Sequence, residues 1–93
     1  MIKVMIERHV KKGQDPTILS LELGLADAMH YKGYAGGERL VSTENSSIII
    51  TMSTWHSIED WEHWANSETR AQLHQKIAPF LRGKPTTRIF KVI

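Results

Sequence analysis

Three residues of this chain have side chains suited to chemistry on a small organic molecule: His74, Trp64 and Arg8. An imidazole exchanges protons near neutrality, so His74 is a candidate base or metal ligand; the plainer role is a polar residue at a helix edge. Trp64, with Trp55 and Trp61, offers indole rings that could wall an aromatic substrate, against the plainer role of core packing, which suits Trp55 and Trp61 best. Arg8 carries a permanent charge on a planar fork of donors and could hold an anionic group or a phenolate. Its plainer role is a salt bridge to a neighbouring strand or a partner chain. Glu59 and His63, four residues apart with His56 nearby, have the spacing of two metal ligands on a helix. No third ligand is suggested and both lie off the apolar face, so no metal site is expected. His9 and His30 belong to no pattern.

The stretch Trp55–Leu81 must position most of these groups. Ser57 lies three residues before Asp60, the spacing of a helix N-cap with an acidic partner. Ile58, Trp61, Trp64 and Ala65 then recur on one helical face. Ser67 reads as a second cap, Arg70, Leu73, His74 and Ile77 repeat the spacing, and Pro79 closes it. The spacing predicts two short tandem helices bringing indoles and one imidazole toward a common core.

The rest of the chain supplies the surface they pack on. Residues 2–10 alternate, with Ile2, Val4, Ile6 and Val10 on one side; Arg8 falls on that apolar side, where a cation is out of place. Asp15 and Pro16 suit a helix start, and a helix to about Lys32 would bury Ile18, Leu21, Leu25, Ala28 and Met29, with Gly33 as terminator. Tyr34–Thr43 reads as a strand with a bulge at Gly36-Gly37, then a turn at residues 44–46. Ser47–Trp55 holds Ile48, Ile49 and Ile50 in succession, which implies cover on both faces. Thr86–Ile93 closes the chain as a strand with Ile89 and Ile93 on one side and Phe90 and Val92 on the other. The order βαββαβ is that of a ferredoxin-like α+β fold with a four-stranded antiparallel sheet. One chain has nothing left to cover the second face of that sheet, so a sheet-to-sheet homodimer is expected.

Bulk properties narrow the class. A chain of 93 residues reads as one domain, residues 1–93, burying roughly 60–65% of its unfolded surface. The formal charge is +2, with Lys and Arg scattered, and the third strand carries isoleucines where an RNA-binding sheet carries stacking aromatics. Nucleic acid is not an expected partner. There is no cysteine, hence no disulfide or thiolate metal site. No apolar run reaches membrane-span length and no signal-peptide pattern opens the chain, so the expected location is the cytoplasm. Neither a phosphate-binding glycine loop nor a G-x-S-x-G elbow is present.

The run IIITMSTWHSIEDWEHWANSETRAQLH, within its βαββαβ frame, resembles the antibiotic biosynthesis monooxygenase family. The resemblance implies a ferredoxin-like subunit in a dimeric α+β barrel. It implies a cofactor-independent monooxygenase acting on a phenol- or quinol-like compound with oxygen, the protein supplying a dry pocket, a base and orientation. His74 would then be the base, Trp64 a wall, Arg8 an anchor, and Trp55 and Trp61 further substrate contacts. The family also includes haem-degrading enzymes, which use a first-strand asparagine, a tryptophan and an iron-binding histidine, and members of no known substrate, which leaves open a non-enzymatic small-molecule-binding dimer. Trp64 and His74 match the last two residues of the haem set, ten residues apart, but Arg8 stands where the asparagine would be. Tight haem binding is therefore not expected. Trp64 and His74 are expected to border one pocket.

Overall fold

Alternation along the first strand sets up the molecule. In the computed structural model, which describes residues 1–15 and 25–93, β1 (Ile2–His9) turns Val4, Ile6 and Arg8 inward and leaves Lys3, Met5, Glu7 and His9 on the other face. It lies at the centre of a four-stranded sheet in the order β2-β3-β1-β4. The other elements are α1 (Leu25–Ala28), β2 (Tyr34–Val41), β3 (Ile48–Trp55), α2 (Ile58–Ala65), α3 (Glu68–Ile77), a 3-10 turn (Ala78–Phe80) and β4 (Thr86–Lys91). All pairings are antiparallel. This is the expected ferredoxin-like α+β fold.

Several boundaries move inward. β2 stops at Val41, not Thr43, because the Ser42 hydroxyl accepts from the backbone N–H groups of Glu44 and Asn45 and starts the turn. Val10 leaves β1 to form an isolated bridge with Leu81. β3 begins at Ile48 and β4 ends at Lys91. α1 ends at Ala28, short of Lys32, and Met29 is therefore exposed, against its expected place in the buried stripe. The expected starting residues Pro16, Ile18 and Leu21 lie outside the described residues. Gly33 does adopt a left-handed φ of +86°, but after a turn, not as the helix terminator. A Cβ there would fall onto the Asp60 carboxyl, so glycine is needed for both space and conformation. The bulge expected at the paired glycines is present as a register shift between Tyr34 and Gly36.

The tandem helices form as their caps dictate. Ser57 Oγ accepts from the Asp60 N–H and donates to Asp60 Oδ2; Ser67 Oγ accepts from the Arg70 N–H. Ile58 sits at the first position of α2 and is exposed, contrary to its expected place on the apolar stripe; Trp61 and Trp64 carry that face, with Ala65 half-buried against them. They pack with Val4, Ile6, Ala28 and Trp55 as the main core. Val10, Ile49, Ile77 and Leu81 form a second cluster beside it.

The Ile48-Ile49-Ile50 run divides between the faces. Ile49 is buried against the helices, while Ile48 and Ile50 are half-buried on the far face. Met5 and Met52, paired across β1 and β3, join them there, and every residue of β4 is exposed.

Candidate active site

Arg8 sits at the seam between the two core clusters. It points inward because its parity along β1 matches Val4 and Ile6. Only 2% of it is exposed. Nη1 donates to Thr51 Oγ1 at 3.2 Å, and Nη2 lies 3.2 Å from His74 Nε2. The Nε atom is buried with no partner. Both partners are neutral, and no carboxylate contacts the guanidinium among the described residues. Burial, reinforced by the Arg70 charge, brings its pKa down to about 10, so it remains a cation at neutral pH.

His74 arrives from α3, half-buried, one turn before Ile77. Arginine has only donors, so Nε2 must present its lone pair to Arg8 and the ring proton resides on Nδ1. Burial first, then the charges of Arg70 and Arg8, hold this imidazole down at about 4. Neutral His74 is thus a proton acceptor already engaged with a donor. Arg70 has its own tie: its guanidinium lies 5.1 Å over the Trp61 ring and Nη1 donates to the Ala65 carbonyl.

Arg8 and His74 together line a cavity of about 160 Å³, closed by Ile77, Ala78 and Leu81 and rimmed by the exposed Gly83, Lys84 and Pro85. A larger cleft of about 440 Å³ lies at the Lys11, Lys12, Asn45 and Arg82 loops. Its lining polar side chains are on the surface and it contains none of the buried ionisable groups, so the smaller cavity is the candidate site.

The three tryptophans lie elsewhere. Trp64 is not part of the lining of the Arg8–His74 cavity; it packs edge-on against Tyr31, ring centroids 4.8 Å apart, with its indole buried in the main core. The expected shared border of Trp64 and His74 is therefore absent from this cavity. Helical spacing places both on inward faces, but α2 and α3 are separate helices whose inward faces meet different parts of β1. Trp55 and Trp61 are also core residues, T-shaped to each other at 6.0 Å. Among the described residues no three His, Asp or Glu side chains gather as a metal site, and His63 instead lies near the Tyr31 ring.

Sequence reasoning missed Thr51 and the rim. A threonine inside an apolar strand is a signal for a buried polar partner, but choosing Arg8 as that partner requires the β1–β3 register, in which Thr51 is opposite Ile6 and Arg8 opposite Ile49. The 82–85 loop held no cue that it would border a pocket.

Haem can be tested against these residues. Iron ligation by His74 needs the Nε2 lone pair that Arg8 holds, and would leave that buried cation with one partner fewer. A cavity of about 160 Å³ matches one benzene-sized ring, not a four-pyrrole macrocycle. The residues present do not fit haem.

Fold and site together define a small ferredoxin-like α+β protein with a buried arginine beside a half-buried histidine at a one-ring cavity. The chain belongs to the antibiotic biosynthesis monooxygenase family, whose model matches residues 1–76. Solved structures agree on the fold. An antibiotic biosynthesis monooxygenase superposes with a TM-score of 0.84 at 13% identity, over 100% of this chain and 99% of the other. SnoaB, a cofactor-independent oxygenase from Streptomyces nogalater, gives 0.84 at 7% identity, over 99% and 92%. A conserved protein from Methanosarcina mazei Go1 gives 0.83 at 17% identity, over 97% and 90%. No curated protein matches the chain in sequence. Among the described residues, no helix is long and apolar enough to cross a membrane.

Proposed function

We propose that the protein is a cofactor-independent monooxygenase acting on a small phenol- or quinol-like compound. The observation that carries this reading is the Arg8–His74 pair at the cavity: a desolvated cation and a neutral acceptor nitrogen 3.2 Å apart. A cation that close favours the ionised form of a bound hydroxyl: Nη2 of Arg8 turns from Nε2 to the substrate oxygen, and the freed imidazole nitrogen takes the proton. The ionised substrate is the reductant. It passes an electron to molecular oxygen, and recombination of the radical pair forms a C–O bond to a hydroperoxide. Loss of water then leaves a carbonyl: one oxygen atom enters the substrate, and the other leaves as water with the ring hydrogen of the oxidised carbon and the hydroxyl proton. Membership of the family supports this chemistry, as does the fold shared with a cofactor-independent oxygenase. In this reading Trp64 acts from behind the site, its indole in the core that fixes α2, and Trp55 and Trp61 pack in the same core. An oxygen electrode tests it: metal-free protein with a series of quinols consumes oxygen well above the autoxidation rate. Uptake equal to the protein-free rate across the series would sink the activity.

The same reading makes the protein a homodimer. The far sheet face, with Met5, Ile48, Ile50, Met52 and Phe90, is the apolar surface a second copy would cover. Light scattering at micromolar concentration should give twice the chain mass of 10.6 kDa; a persistent monomer would rule out the barrel.

A further inference from the structure

Among the described residues the buried charge of Arg8 has no counter-ion, and the cavity beside it has a definite size. A cation this buried is costly without an anion near it. Thr51 and His74 satisfy two of its nitrogens with neutral groups, and Nε is left over. Among the described residues the cavity's other walls, Ile77, Ala78, Leu81 and Pro85, are apolar, and the one further charge, Lys84 at the rim, is also positive. Arg70 adds positive potential from behind, since it acts on both Arg8 and His74. The site is therefore apolar in its walls, positive in its field and about one ring in volume.

We propose that this cavity selects a single-ring hydroxy acid, its carboxylate seated on Arg8 and its hydroxyl on an adjacent carbon directed at His74. A carboxylate suits the guanidinium because two oxygens can accept from two N–H groups of one planar fork. The hydroxyl follows from the pairing of functions: among the described lining residues the polar group next to Arg8 is the acceptor Nε2 of His74, 3.2 Å from Nη2. Two groups at that separation complement an acid and a hydroxyl on neighbouring ring carbons: the carboxylate takes over Nη2 of Arg8, keeps that cation partnered and frees the Nε2 lone pair for the hydroxyl. The ring then fills the apolar part between Ile77 and Leu81. This inference rests on the oxygenase reading only in calling the ligand a substrate; the binding itself is independent of turnover.

The test is calorimetric titration of the whole protein with four compounds under nitrogen. They are 2-hydroxybenzoate, benzoate, the neutral 2-hydroxybenzamide and the two-ring 3-hydroxy-2-naphthoate. The expected order is 2-hydroxybenzoate tightest, benzoate next, and the amide weaker than the acid by about tenfold or more, the worth of a charge-assisted hydrogen bond. The naphthoate binds weakest of the acids. In Arg8→Gln the acid and the amide bind equally; in Arg8→Lys, which keeps the charge without the fork, the acid keeps part of its advantage. His74→Ala removes the preference of 2-hydroxybenzoate over benzoate. Equal binding of acid and amide by the unaltered protein overturns the proposal even if Arg8→Gln fails to fold, and so does tighter binding of the naphthoate. Acid binding in the expected order without oxygen uptake on dihydroxybenzoates would leave the pocket standing and remove the oxygenase reading. Uptake on neutral quinols with no acid preference would do the reverse.

Discussion

Replacing His74 with alanine lowers substrate-dependent oxygen uptake by about 10²-fold or more, the range for removal of a positioned base. The loss falls mainly on kcat, because Arg8 still binds the anion. Its pH signature separates a base from a packing residue. His74 must be unprotonated to work, and in the free protein burial and the Arg70 and Arg8 charges keep it so down to about pH 4. The kcat/KM profile should therefore hold through the 6–7 region where an ordinary imidazole would fail, and the acid limb should begin only near 4 to 5. With an anionic substrate bound, part of the repulsion from Arg8 is cancelled, so the acid limb of kcat should lie at higher pH than that of kcat/KM. Stability has a matching dependence. The unfolded imidazole titrates near 6.5 and the folded one near 4, so between those values the unfolded chain binds more protons and the fold loses stability as pH falls. His74→Ala should flatten that window. A profile with an acid limb at 6.5, or an alanine variant of full activity, would remove His74 from the chemistry.

Trp55→Ala should cost about 3–5 kcal/mol of folding stability, read from the urea midpoint. Trp55 is 0% exposed, the largest of the fully buried side chains. Its ring is edge-on to Tyr34 at 5.4 Å and to Trp61 at 6.0 Å, and its Nε1–H donates to Ser53 Oγ at 3.0 Å. Alanine removes all three contacts and opens a cavity in a core with little to spare. A chain of 93 residues has a total stability of only about 5–14 kcal/mol, so the variant loses a large share of it. Trp55→Phe keeps the ring contacts but strands the Ser53 hydroxyl, and should cost less, about 1–3 kcal/mol. A loss under about 1 kcal/mol for alanine would mean that the indole is not packed as described.

Periodicity made the fold legible because it records which way each side chain must point. The alternation of Val4, Ile6 and Arg8 placed a cation in the core before any partner was visible, and the Ser57 and Ser67 caps marked both helices of the tandem. Arg70 carried the same signal as Arg8, a cation on an apolar stripe, but a one-dimensional pattern could not say that its charge would bear on His74. Register and helix packing were not legible. They decide that Arg8 reaches Thr51 and His74 while Trp64 turns to Tyr31, although Trp64 and His74 look equivalent in spacing. Length was over-read where a short polar side chain competes for the backbone, as Ser42 does at the end of β2.

The central place of β1 has a consequence for how the chain finds its structure. β2 and β3 are neighbours in sequence and can zip from their turn, closing a short loop. β1 has no such option. Its partners are β3, with Ile2 opposite Trp55, and β4, with Ile2 opposite Lys91. Both pairings join strands far apart in sequence, so the search is dominated by distant encounters and is slow for its size. The middle of the sheet forms when β1 docks on β3, and β1 then keeps one flank open until β4 arrives. Until then Val4, Ile6 and Arg8 lie on a sheet that lacks its β4 edge.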